Sequence, residues 1–262
     1  MNSFEHVEYC MGTAFRFAGR SPFDAVRTNS IVEQACAILT EADNTFSLYK
    51  PESPLSQLAR GEVSVAQCPP VVNEIWDECD RWEQATDGWF SAMTPEHTFD
   101  PSGVVKTWAA KRAAEHVLSQ GIVDFTLNAG GDVWLADGLT SETDWRIGIS
   151  KPVSIASDEA GVLAVIDLKE TAFRSLATSG SAERGLHIWN PKAPGKAAAN
   201  ELLQVSVVAE DLVRADAFAT AAFAEGPRAI ARLDALPNLE ALFVLADGQL
   251  AATRGFSLLF AR

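Results

Sequence analysis

Apolar positions along this chain switch between helical and strand periods, and the switches mark out its elements. Residues 4–18 mix β-formers with polar residues and predict an opening strand pair. From Pro22 to Glu41, Ala25, Val26, Ile31, Val32, Ala35, Ile38 and Leu39 recur at helical spacing, with Ser21 as the expected N-cap. A loop follows at Thr45-Phe-Ser-Leu-Tyr49, closed by Pro51 and Pro54. Further helices are predicted over 69–86, stopping before Asp87-Gly88, and over 103–119. Strands then dominate, at 123–136 (ending in Asp137-Gly138), 144–149 and 161–168. A strand at 203–209 leads into a helix at 211–225, and Pro227 permits a second helix to Leu236. Two β segments joined by Asp247-Gly248 close the chain as a hairpin. This order is α+β, with mixed, largely antiparallel sheets and packed helices rather than regular βαβ alternation. Without a repeat or linker in the pattern, residues 1–262 are expected to form a single domain.

Composition narrows the function classes. With 47% hydrophobic and 21% charged residues the chain is ordinary for a globular enzyme. Its net charge of -14 argues against a nucleic-acid groove or an anionic membrane as partner, since both need clustered Lys and Arg. A polyanionic small molecule stays compatible, because a divalent metal offsets local repulsion. Cys10, Cys36, Cys68 and Cys79 show no C-x-x-C spacing and read as reduced, mostly buried thiols. The first residues have neither a basic nor an apolar signal region, and no apolar run reaches the roughly 18 residues of a membrane span. Cys10 lacks the apolar stretch that precedes a lipoprotein cysteine, so the expected location is cytoplasmic.

Several short motifs carry candidate chemistry. Asp216 and Thr220, four apart in a predicted helix, project from one face. A carboxylate and a hydroxyl are hard oxygen ligands that suit Mg2+ rather than zinc, although an exposed Asp and a Thr bonded to the preceding turn is the plainer reading. Asp100-Pro-Ser-Gly-Val-Val-Lys106 precedes a helix that Ser102 or Asp100 could cap, and a helix amino end attracts phosphate. The same stretch also reads as a capped helix with an exposed Lys. Asn128-Ala-Gly-Gly-Asp132 interrupts a strand, which implies a bulge, a turn or a close backbone approach. Thr178-Ser179-Gly180 and His187 are small or polar residues of the kind that line phosphate and base pockets. Met11, Tyr49, Trp89 and Phe90 are ordinary core candidates by residue type alone. No G-x-S-x-G elbow, H-E-x-x-H helix or G-x-G-x-x-G fingerprint is present.

Taken in order, Met11-Gly12-Thr13, Asp100 to Lys106, Asn128 to Asp132, Ala177-Thr-Ser-Gly180 with His187, and Ala215-Asp-Ala-Phe-Ala-Thr220 resemble the ApbE-type FAD:protein FMN transferases. The resemblance runs from about Met11 to Phe256. It implies that Asp216, Thr220 and the Gly103 carbonyl hold Mg2+, and that Asp100 and Lys106 contact FAD. Lys106, Asp216 and Thr220 would carry the catalysis. Met11 and Tyr49 would pack against the flavin, and Trp89-Phe90-Ser91 would fill the family's Gly-x-Phe-Asp loop. Asn128, Gly130, Gly131 and Asp132 would lie beside the cofactor, with Ser179, Gly180, His187 and Ile188 also lining its pocket. Three positions depart from the family: Ser91 and Asn190 each replace an Asp, and Thr107 replaces a Gly, adding a Cβ near the ligand.

The reaction so implied is Mg2+-dependent. A Ser or Thr hydroxyl of an acceptor flavoprotein, in a motif ending Ser/Thr-x-Thr, attacks the FMN phosphorus of FAD, and AMP leaves. With water as nucleophile the same site would be an FAD pyrophosphatase giving FMN and AMP. The three departures support an alternative, an FAD-binding protein with little turnover, whereas the intact Asp216 and Thr220 favour the enzyme. A flavin-dependent oxidoreductase finds no redox-active Cys pair or nicotinamide motif to support it.

Overall fold

A computed structural model describes residues 1–136, 146–152, 161–180, 188–193 and 201–261. The chain divides into two compact units, 1–82 with 92–143 and 83–91 with 144–262. In the first unit β1 (Asn2–Cys10) and β2 (Thr13–Ser21) form the opening hairpin. Four helices follow: α1 (Ala25–Phe46), α2 (Pro54–Ala59), α3 (Pro70–Ala85) and α4 (Ser102–Ser119). The last residues of α3 pass into the second unit. Then β3 (Asp124–Ala129) pairs with β2, and β4 (Asp132–Leu135) pairs with β3, all antiparallel.

Local chemistry explains the boundaries. The N-cap of α1 is Asp24, whose side chain accepts from the Arg27 amide at 2.9 Å. Ser21, expected in that role, instead accepts from the Thr28 hydroxyl at 2.7 Å and the Phe23 amide at 3.1 Å. The helix α2 occupies what reads in sequence as loop, because Ser53 accepts from the Ser56 amide and Pro54 sits in the first turn, where its missing N–H costs nothing. The predicted strand at 123–136 is two strands, split by a turn at Gly130-Gly131.

Alternation puts Phe15, Phe17, Phe125 and Leu127 wholly inside the first unit. The helix α1 packs against α4. Both contribute small buried residues, Ala35 and Ala42 from α1 and Ala109, Ala110, Ala113 and Ala114 from α4. Short side chains at a helix contact permit a small interaxial distance.

In the second unit β5 (Arg146–Ser150) pairs with β6 (Val162–Asp167). Separately, β7 (Ser175–Gly180), β8 (Leu202–Ala209), β9 (Leu239–Leu245) and β10 (Leu250–Ala252) pair antiparallel in that order. The helix α5 (Leu212–Glu225) lies against β7 and β8, and α6 (Ala229–Leu233) against α5 and β9. Asp211 caps α5 by accepting from the Arg214 amide at 3.0 Å. Among the described residues no helix is long and apolar enough to cross a membrane. All four cysteines are thiols.

Gly19 shows how tightly β2 and β3 are fitted. A Cβ there would lie 2.2 Å from the Asp124 carbonyl oxygen and 2.5 Å from the Phe125 Cα, both backbone atoms that cannot swing aside. Gly19→Ala is expected to cost about 1–3 kcal/mol, as overpacking does. Its melting temperature should fall by several degrees in a thermal unfolding scan, with an unchanged one indicating that the strand pair is looser than described.

Candidate functional site

Two turns define one end of the first unit. Between β1 and β2, Met11 and Gly12 have φ of +50° and +70°, and the Cys10–Thr13 pair closes the turn. Between β3 and β4, Gly130 and Gly131 have φ of +63° and +100°, closed by Ala129–Asp132. Both are two-residue hairpin turns with positive φ at each central residue, the form that follows strand twist. The β2–β3 register pairs Phe15 with Ala129 and so sets the turns side by side. The Gly130 amide donates to the Ala14 carbonyl at 2.9 Å. A Cβ on Gly130 would lie 2.3 Å from the Thr13 hydroxyl, so a side chain there would hold the turns apart.

Side chains lock this end to α4. Asn128 accepts from the Gly131 amide at 2.9 Å, fixing the turn. Lys106 Nζ lies 2.5 Å from the buried Asp132 carboxylate. At the start of α4 the Asp100 carboxylate accepts from the Ser102 amide at 3.0 Å, and the Asp100 amide donates to the Ala92 carbonyl at 2.8 Å. Pro101, with no side-chain oxygen, takes the N-cap position, so of the two expected caps only Asp100 contributes. Gly103 stands in the first turn, three residues before Lys106. The first unit thus brings Met11, Lys106, Asn128, Gly130, Gly131 and Asp132 together, with Asp100 and Gly103 on the same helix start. Tyr49 is 97% exposed, which removes core packing as its explanation.

The second unit gathers a separate group on α5 and β7. The helix α5 is buried nearly all round, and Asp216 sits in it at 5% exposure. A carboxylate placed there must be matched by polar or cationic partners, because burying a charge among apolar groups is costly. One turn later, the Thr220 hydroxyl lies 3.2 Å from that of Ser179 on β7. The result is an oxygen-only donor set of a carboxylate and hydroxyls, which fits a hard cation such as Mg2+. Gly180 follows on β7, where a Cβ would approach the Leu203 carbonyl to 2.9 Å. Its small size is therefore also a requirement of β7–β8 pairing.

Two loops of the second unit are joined by Lys192. Its ammonium lies 3.1 Å from the Asp87 carboxylate and 4.7 Å from the centre of the Trp89 ring. Trp89 and Ser91 are half-buried, whereas Phe90 is core at 2% exposure, its amide donating to the Thr86 hydroxyl at 3.0 Å. Asn190 accepts from the Lys192 amide at 3.0 Å, a bond that an Asp would make equally well. Ile188 is buried. His187 lies outside the described residues. Thr107, expected to set a Cβ beside the ligand, is fully buried in the first unit and donates its hydroxyl to the Val104 carbonyl at 3.2 Å. The sequence reading missed the Lys106–Asp132 pairing and the place of Thr13 beneath the Gly130 turn. The paired glycines were the available signal for the latter.

A family model described as the ApbE family matches residues 91–243. A curated relative, the FAD:protein FMN transferase of Vibrio cholerae, is 29% identical over 156 residues, 55% of this chain and 45% of the relative. The chain therefore spans less than half the length of that relative in the match. An ApbE protein structure from Thermotoga maritima superposes with a TM-score of 0.80 at 21% identity, covering 100% of both chains. The flavin transferase ApbE structure from Vibrio cholerae gives 0.78 at 20% identity, covering 98% of this chain and 99% of that one. These likenesses establish the α+β fold.

Met11 is the one non-glycine among the four central turn residues, held at a φ that glycine and asparagine adopt more readily. Such a conformation costs about 1 kcal/mol or more. Met11→Asn is expected to raise the unfolding free energy measured in urea by part of that amount, and a fall would show that the Met side chain is held by packing instead.

Proposed function

Because the chain belongs to the ApbE family, we propose that it is a Mg2+-dependent FAD:protein FMN transferase. The observation that carries this reading is Asp216, a carboxylate buried at 5% exposure in an apolar helix and one turn from the Thr220 hydroxyl. A helix built only to pack would place an alanine there. Asp216 and Thr220 are the proposed ligands of Mg2+, which when bound neutralises charge on a pyrophosphate. The Gly103 carbonyl is proposed as a further donor on the sequence resemblance alone.

In the proposed reaction a Ser or Thr hydroxyl oxygen of the acceptor protein bonds to the FMN phosphorus of FAD. The bond from that phosphorus to the bridging oxygen breaks, and AMP leaves with the oxygen. The hydroxyl proton passes to solvent or to the departing phosphate. Positioning and charge stabilisation supply most of the catalysis in phosphoryl transfer. Lys106 contributes positive charge, oriented by Asp132, and the Asn128-braced turn presents backbone at close range. Asp100 holds the start of α4. Met11, Tyr49 and Trp89 are the proposed flavin-facing side chains. Ser179 orients the Thr220 hydroxyl through the bond at 3.2 Å.

The test incubates the purified chain with FAD, Mg2+ and an acceptor domain bearing a Ser/Thr flavinylation motif, and follows products by intact mass and chromatography. The acceptor should gain the mass of FMN as AMP appears. Asp216→Ala should slow this at least 100-fold, roughly the upper end of the loss seen when a metal's supporting residues are removed. FMN and AMP without acceptor labelling would indicate the pyrophosphatase, and FAD binding without products would leave only a flavin-binding protein.

A further inference from the structure

The inward face of β1 has an uncommon composition. Phe4, His6, Glu8 and Cys10 are half-buried while the residues between them are exposed, and the strand lies against α1. A strand face that packs on a helix is ordinarily apolar, yet three of these four side chains are metal-ligating types. From α1, Cys36 meets them, buried at 7% exposure. One ligand atom each of His6, Glu8 and Cys36 lies within 4.8 Å of the others. His6 Nε2 is 3.8 Å from the Glu8 carboxylate, beyond hydrogen-bonding reach, and this buried nitrogen has no hydrogen-bond partner. Buried polar atoms left in that condition are rare in folded proteins and call for an explanation. The group lines an open recess of about 700 Å³ whose wall also carries Glu33 and Glu41.

We propose that His6, Glu8 and Cys36 form a second metal site, for a divalent transition ion of the Zn2+ type, with three protein donors and a fourth position facing the recess. An imidazole nitrogen and a thiolate select such an ion over Mg2+ or Ca2+. Tetrahedral bonds of about 2.0–2.3 Å place donors about 3.5 Å apart. His6 and Glu8 are already near that separation at 3.8 Å, and the Cys36 sulfur lies within 4.8 Å of both. Charge balances as well, because one carboxylate and one thiolate neutralise a dication. Burial first, and then the Glu8 charge, push the Cys36 thiol up to about 12. Forming the metal–sulfur bond releases the thiol proton to solvent. This site is independent of Asp216 and Thr220, and of the reaction proposed above.

The test uses the full chain, stripped with a chelator and titrated with Co2+, a spectroscopic stand-in for Zn2+. Absorption is followed for the thiolate-to-cobalt charge-transfer band. The band should saturate at one ion per chain and vanish when Zn2+ is added. Cys36→Ser should abolish it. His6→Ala, a change at a half-buried surface position, should weaken Co2+ binding at least about tenfold, as loss of a residue at a metal site does. Cys10→Ser and Asp216→Ala should both retain the band, which separates this site from the other thiol on β1 and from the proposed Mg2+ ligands. Circular dichroism establishes that each variant is folded. Absence of the band at millimolar Co2+, its survival in Cys36→Ser, or unchanged affinity in His6→Ala would each overturn the proposal.

Discussion

The arrangement of the first unit's candidate site depends on the register between β2 and β3. Pairing Phe15 with Ala129 places the turn after β1 beside the turn after β3, and the bond from the Gly130 amide to the Ala14 carbonyl holds them there. A slip by one residue would turn Phe15 and Phe17 out of the core. The hydrophobic pattern therefore pins the turns with the same energy that buries the sheet. From that point the contacts follow in sequence, with Asn128 bracing the turn, Asp132 closing it and Lys106 reaching it from α4. Fixing the site costs little extra, because a register specified for folding also specifies the geometry.

The second unit uses a different device. Its polar group is set into α5, a helix buried on nearly every side. Such a helix has few ways to tilt or slide, since the side chains around it are close-packed. The spacing of four between Asp216 and Thr220 then fixes their separation along the axis, and the Ser179 hydroxyl fixes their height relative to β7. Rigid placement of hard oxygen donors suits an ion that dehydrates reluctantly and demands near-ideal geometry, as Mg2+ does.

Most elements were legible in the sequence because each rests on local periodicity. The helical pattern of Ile31, Val32, Ala35 and Leu39 identified α1, and the turn pair at Asp247-Gly248 identified the final hairpin. Failures occurred where a residue had two uses. Ser21 reads as a cap, but its hydroxyl is taken by Thr28, and Asp24 does the capping. Pro54 reads as the end of a loop, yet it opens α2. The strand β7 reads in sequence only as a motif, because Ser175 to Gly180 offers small polar residues in place of alternation. Pairings were the least legible. Ser179 and Thr220 stand 41 residues apart, and no local pattern links them. The same holds for Lys106 and Asp132, which meet only after three strands have found their register. Residue types announced the chemistry, whereas tertiary contacts decided which residues share it.

The seam between α1 and α4 imposes a direction on sequence drift. Ala109, Ala110, Ala113 and Ala114 are already among the smallest side chains, and all four are buried against neighbours. Random change there can hardly shrink a residue, so nearly every replacement enlarges it and must be accommodated by a matching loss of volume among its neighbours. The outward face of α4 carries no such restriction. Divergence along this helix should therefore be lopsided, with the exposed positions changing more freely and the buried alanines changing only together with their neighbours.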